Sequence, residues 1–495
     1  MLFTSYEFAA FVTALFLLYY IVPKKIQWIL LLLFNGIFIA AAGRKAAVVM
    51  AFMILNTYLF AAGISGIRAG NKTEKKQNKK KRWHILTVCL ILNSGILVLF
   101  RYITDTMPLG LSYYGLMLMA YVIEVYRGNC TAEKNIFRLT AMASFFPALL
   151  QGPVSRYGEL KQRMFTPHYF DSTQAAFGLE RMLWGYFKKL VVADRILPAV
   201  QTIIEAPDIY TGIYVFYGMI FYAIQLYADF TGGIDITLGI ARFLGIRLEE
   251  NFNVPFSSKN LSEYWRRWHI SLGEWIKDYV FYPMSVCRPV SKTAKMMKKK
   301  SFSMGRKFPV YISAVCAWFV TGLWHGREAH FIVWGLANCF VILVSRELKP
   351  FYDRFHRKYP VFHGTGRAAV IYQHFQAART FLLVCVLRMS DCYQDVGLTV
   401  KMFFQMFTEF RLSDLQGSRL MELGISGADY SILISGILLM YIAGRIKKKQ
   451  EIEEYLMKMP VLLRYALFLF LFFAILIFGV YGIGYDANQF IYQKV

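Results

Sequence analysis

Uninterrupted apolar runs constrain this 495-residue chain more than any other feature. They fall at roughly 5–22, 26–42, 46–62, 83–100, 107–126, 178–203, 211–229, 308–322, 329–346, 368–387, 430–444 and 461–484. Most match the length of about 17–25 residues that a helix needs to cross a bilayer. A chain with so many such runs cannot hide them all in one aqueous core. Hydrophobic residues make up 57% of it and the mean hydropathy is +0.40, far above an ordinary soluble domain. The runs are continuous rather than alternating, which excludes a β-barrel pattern. The expectation is an all-α integral membrane protein of about 11 transmembrane helices, with 136–152 as a re-entrant or tilted piece.

The net charge of +25 is concentrated. Residues 66–82 hold eight Lys/Arg against one Glu, and 288–307 hold eight with no acid. Between apolar spans such runs are cytoplasmic loops, not nucleic-acid contacts, and they favour anionic head groups of the lipid bilayer. They predict a multi-pass protein of the cell membrane with its N-terminus outside. Lys24-Lys25 then lies inside, Arg44-Lys45 outside, 66–82 and Arg445–Lys449 inside, and the C-terminus outside. The stretch from Phe8 lacks a basic leader and continues as a span, so it does not read as a cleavable signal peptide. Seven cysteines without a CxxC pair indicate neither a disulfide framework nor a metal centre.

Residues 262–286 mix tryptophan, charge and histidine as no other stretch does. At helical spacing Trp265, His269, Leu272, Ile276 and Tyr279 share one face, while Glu263, Arg266, Arg267 and Glu274 lie largely on another. Pro283 is a natural stop. His325 follows in Thr321-Gly-Leu-Trp324-His325-Gly326, at the end of an apolar run. An ionisable group there is a functional-site hypothesis by default, because burying it is costly. Pro147 and Gly152-Pro153 interrupt another apolar stretch, either as a kink or as backbone lining a cavity. Asp229 and Asp235 suit a cavity wall or a pairing with the arginines of 262–267. Arg266 and Arg267 suit a phosphate or a pantetheine chain, or a pairing with Glu263 or Asp278. Glu124 and Arg127 stand three apart, where they pair across a helix end.

Glu263-Tyr-Trp-Arg-Arg-Trp-His-Ile-Ser-Leu272 followed by Trp324-His325-Gly326 resembles the membrane-bound O-acyltransferases. The resemblance extends, in order, through Gly110-Leu-Ser-Tyr-Tyr114, Val125-Tyr-Arg-Gly128, Phe145-Phe-Pro147, Gln151-Gly-Pro153, Tyr227-Ala-Asp-Phe230 and Glu250-Asn-Phe-Asn253. It is strongest to the bacterial branch that O-acetylates alginate or D-alanylates teichoic acid. It implies one membrane domain over 1–495, with N-terminal helices at 1–130, a catalytic core at 131–346 and C-terminal helices at 347–495, around a central tunnel. It implies an O-acyltransferase that moves an acyl group, acetyl above all, from a cytoplasmic thioester toward an extracellular polysaccharide or cell-wall glycan. Acetyl-CoA is the expected donor, and a D-alanyl or acyl carrier protein with its phosphopantetheine is the alternative. An extracellular SGNH-type partner would finish the transfer.

Acyl transfer to a hydroxyl needs a base for the hydroxyl proton and a group that bears the oxyanion. Histidine suits the first task near neutral pH. His325 is therefore the expected general base and His269 a second catalytic candidate. Trp265, Arg266, Arg267, Trp268, Trp324 and Asp229 are the expected substrate-binding set. No metal is expected, since His325 and His330 are five apart rather than at the spacing of a helical metal pair. Phe490-Ile491-Tyr492 matches a C-terminal motif of such glycopolymer systems and makes Tyr492 a candidate acyl relay; the alternative is an interfacial anchor. No serine-hydrolase elbow, P-loop or dinucleotide fingerprint competes. A lipid or glycan transporter is the rival of a different class, although internal repeats, usual in transporters, do not stand out.

Overall fold

The computed structural model describes residues 1–67, 72–104, 106–362, 366–411, 420–482 and 485, with the backbone alone at 72–75. Every regular element among them is a helix, and the β contact between Phe252 and Trp268 is an isolated bridge. Nine helices of the described residues are long and apolar enough to cross a membrane: Lys24–Ala41, Arg44–Gly66, Lys76–Ile103, Ile213–Phe243, Phe302–His325, Ala329–Glu347, Arg367–Tyr393, Gly427–Lys447 and Val461–Phe478. Their outward faces are strongly apolar; on Val461–Phe478, Leu462 is 82% and Ile477 68% exposed. A surface of that kind suits hydrocarbon rather than water.

Two expected spans, and the piece expected to be re-entrant or tilted, take forms of their own. The run 107–126 becomes Leu111–Arg127, a helix buried along most of its length and so wrapped by protein. The run 178–203 is not one regular helix: a π-turn, Phe187–Ala193, separates Ser172–Tyr186 from Asp194–Glu205, which carries Pro198 inside it. The 136–152 stretch breaks into Ile136–Ala143 and Phe146–Gln151. Buried Asn35 stitches that break, its amide donating to the Ala141 carbonyl at 3.0 Å and its oxygen accepting from the Phe146 N–H at 3.1 Å. Broken backbone at membrane depth needs such partners.

The chain forms two compact units. One comprises Met1–Tyr186 and Phe230–Glu249, the other Phe187–Asp229 and Glu250–Tyr481. The first is centred on an aromatic cluster in which Phe8, Phe11 and Phe38 pack on Phe146. Its buried Glu133 accepts from Tyr157 Oη at 2.6 Å and pairs with Lys161 Nζ at 2.7 Å. Burial opposes the Glu133 charge, but Lys161, Tyr157 and the backbone N–H of Asn135 outweigh it and hold the carboxyl down to about 2. Glu124 and Arg127 pair at 3.0 Å, as their spacing predicts. Asp235 pairs with Arg181 at 2.9 Å.

In the second unit Lys189 is fully buried, with its ammonium 2.7 Å from both Asp194 and Asp229. The helices Phe302–His325 and Ala329–Glu347 form a tight hairpin. A Cβ at Gly322 would stand 2.6 Å from the Phe331 carbonyl, and one at Gly335 2.5 Å from the Trp318 carbonyl. Only glycine permits this approach, which is how small residues let helices pack in membranes. The hairpin presents His325 at the last position of its first helix.

Candidate active site

The stretch 261–286 does not run as one helix. It forms Leu261–Trp265, then Ile270–Ile276, a π-turn Lys277–Phe281, and Tyr282–Val286. The break falls at His269, whose backbone is left-handed at φ 48°, a strained conformation for a residue with a Cβ. Residues 251–253 hold it there. The Asn253 N–H donates to the Arg267 carbonyl and the Ile270 N–H to the Asn251 carbonyl, each at 3.0 Å. The Asn251 side-chain oxygen accepts from the Ser271 N–H at 3.0 Å and from its hydroxyl at 2.9 Å. These bonds, with the Phe252–Trp268 bridge, replace those that a continuous helix would have made. Tertiary pairing therefore overrides helical periodicity here.

The two histidines come together through one side chain. The Trp324 indole meets the His269 ring edge-on at 5.9 Å between centroids and the His325 ring at 5.0 Å. Both imidazoles are buried, 7% and 8% exposed. His325 also meets Trp334 edge-on at 4.9 Å and stacks on Phe331 at 6.1 Å. Burial is the main reason that His269 is held down to about 3, so it stays a neutral imidazole near pH 7.

Trp265 donates its indole N–H to the Asn338 side chain at 3.0 Å, and its ring lies 5.5 Å from that of Trp334. Trp268 is buried against Phe252 and Tyr264. Arg267 pairs with Glu263 at 2.8 Å and donates to the Asn253 carbonyl at 3.2 Å, whereas Arg266 is exposed. Asp229 pairs with Lys189 at 2.7 Å. The expected set is thus sorted: Trp265, Trp268 and Trp324 stand with the histidines, Arg267 braces the turn, and Asp229 belongs to a buried ion-pair cluster. Tyr492 lies outside the described residues. Among the described residues no three His, Cys, Asp or Glu side chains gather as a metal site would require.

Four residues of this neighbourhood escape sequence reasoning. Asn338 and Trp334 sit in an apolar run without distinguishing context. Asn251 lies inside the Glu250–Asn253 motif, but its clamp on Ser271 has no periodic signature. Arg388 follows the apolar run 368–387, which continues as helix to Tyr393.

Residues 133–387 match the model of the MBOAT family, the membrane-bound O-acyltransferases. The chain belongs to that family. It is an O-acyltransferase of membrane-embedded type, and both His269 and His325 fall inside the matched segment. Among its relatives, the probable alginate O-acetylase of Azotobacter vinelandii is 28% identical, with 86% of this chain and 82% of the relative covered. The peptidoglycan O-acetyltransferase of Helicobacter pylori is 27% identical over 57% of this chain and 58% of its own. The teichoic acid D-alanyltransferase of Bacillus subtilis is 27% identical over 51% of this chain and 61% of its own. By their names these relatives act on alginate, peptidoglycan and teichoic acid.

Proposed function

We propose that the protein takes an acetyl group from acetyl-CoA at the cytoplasmic face and passes it across the membrane for O-acetylation of an extracellular polysaccharide. The observation that carries this reading is the pair of buried histidines on one indole, in a chain whose O-acetylase relatives run along 86% of its length. The D-alanyltransferase relative covers 51%, which ranks carrier-borne D-alanine second.

In the proposed reaction His325 is the general base. Its imidazole takes the proton of the acceptor hydroxyl while that oxygen attacks the thioester carbonyl. The tetrahedral intermediate collapses, the C–S bond breaks, and the imidazolium returns its proton to the departing thiolate. His269, neutral and fixed by the Asn251 clamp, positions or polarises the substrate beside Trp324. Arg266, on the exposed side of the turn, is suited to donor phosphates. Tyr492 is proposed as the hydroxyl that carries the acetyl group at the outer face, from which an extracellular SGNH-type partner moves it to the glycan.

Purified protein in detergent, offered labelled acetyl-CoA and a charged D-alanyl carrier protein in parallel, tests the reading. Label from acetyl-CoA is expected to be lost by a factor of about 10²–10⁴ in H325A. Full activity of a folded H325A protein would remove the base assignment, and label from the carrier alone would make D-alanine the cargo.

A further inference from the structure

Both histidine-bearing segments lean on one buried cation that no part of the reaction above uses. Arg388 is 4% exposed. Its guanidinium lies over three indoles at once, 4.9 Å from the ring centre of Trp334, 5.2 Å from Trp268 and 5.6 Å from Trp265. Three indoles around one buried guanidinium, each within about 6 Å, form a cage. Asp391, one turn along the helix Arg367–Tyr393, accepts from Arg388 Nη1 at 2.7 Å and is itself largely buried. The cage ends on the histidines. Trp334 is the ring that meets His325 edge-on at 4.9 Å, and Trp268 immediately precedes His269 in the strained turn. Trp265 and Trp334 are also tied through Asn338, which accepts from the Trp265 indole at 3.0 Å and donates to the Trp334 carbonyl at 2.8 Å.

We infer that Arg388 is a positioning residue of the acyl transfer, acting through the Trp334 and Trp268 indoles to set the orientation of His325 and the His269 turn. The inference rests on the reading of His325 as the base. A planar guanidinium can stack on several aromatic faces while one edge bonds a carboxylate, which an ammonium cannot do. A methionine would fill the same space without charge, and a buried ion pair is weak evidence for stability as such. The value of the pair here is geometric: Asp391 fixes the guanidinium, and the guanidinium fixes the planes of the rings that touch the imidazoles. Its charge also faces His269, adding to the effect of burial that keeps that ring neutral.

The test compares R388K, which keeps the charge but not the planar stack, with R388M/D391N, which removes both charges and keeps the volume. H325A is run alongside. Transfer from labelled acetyl-CoA is followed as kcat and KM, with thermal unfolding in detergent and near-ultraviolet circular dichroism as measures of folding. Both Arg388 variants are expected to fold and to lose about 10- to 100-fold in kcat, with KM for acetyl-CoA within about twofold of the parent. Should the double variant not be recovered folded, R388K decides by the same criterion. A folded variant with parental kcat while H325A is inactive would overturn the role of Arg388 alone, as would a rise in KM with kcat unchanged. An active H325A would overturn the base assignment and this inference with it, and so tells the two failures apart.

Discussion

His269 carries two burdens that a surface histidine does not: a left-handed backbone at φ 48° and an imidazole whose pKa is pushed by burial from 6.5 to about 3. The second has a consequence for stability. Between those values the unfolded chain binds a proton that the folded chain refuses, so stability falls as pH drops from 6.5 toward 3. Glu133, held down to about 2, contributes stability that is present above the ordinary carboxylate range and is lost as pH falls toward 2. Asparagine tolerates the left-handed region well and does not titrate. The H269N protein should therefore show a flatter decline of melting temperature between pH 6.5 and 4.5 than the parent, measured in detergent. Equal slopes would mean that the ring takes up its proton in the folded state. Lys189 behaves differently. It is the cation between two buried carboxylates, so K189M should cost about 3–5 kcal/mol, whereas D229N leaves Lys189 with Asp194 and should cost less. Thermal unfolding of the two variants, compared with the parent, checks the order.

Elements show why some features were legible in the amino-acid sequence and others were not. Apolar runs reveal membrane helices because lipid demands length and composition, which a single chain carries openly. The breakers Pro147 and Gly152-Pro153 likewise mark a real interruption, and the structure adds Asn35 as the partner that makes it tolerable. The helical face drawn through Trp265, His269 and Ile276 was not kept, because Asn251 and Asn253 capture the backbone of 267–271. Such pairings join positions some twenty residues apart and leave no periodicity behind. Arg388 meets tryptophans more than fifty and one hundred positions away, so nothing in its own run distinguishes it from an arginine at a membrane edge. His325 was legible as an ionisable group in an apolar run, but its placement depends on the hairpin, and the hairpin depends on glycine. G335V would drive a side chain into the Trp318 carbonyl 2.5 Å from where its Cβ must stand. Overpacking of this kind costs about 1–3 kcal/mol, and here it would also move Trp334, the preceding residue. The expected outcome is a protein that unfolds at lower temperature and transfers acetyl groups more slowly at unchanged KM. Parental activity in G335V would show that the hairpin can shift without disturbing His325.

For the whole molecule, the direction of the reaction depends on which loops face the cytoplasm. Positive charge is the argument available: residues 66–82 and 288–307 each hold eight Lys/Arg, and such loops stay on the inner side. Arg44-Lys45 opens the helix Arg44–Gly66 and is assigned outside. Single cysteines at exposed positions, R44C, K76C and K295C, in a background with the seven native cysteines replaced, put this to measurement. A membrane-impermeant maleimide applied to intact cells should label R44C, and should label K76C and K295C only after the membrane is opened. That outcome places the basic loops beside the cytoplasmic thioester pool, on the side from which the proposed donor, acetyl-CoA, would enter. Labelling of K295C in intact cells would reverse the orientation, and a thioester donor could then no longer reach the protein from the cytoplasm by the basic side. The labelling is independent of catalysis, so it tests direction even in the H325A protein, whose transfer is expected to be impaired.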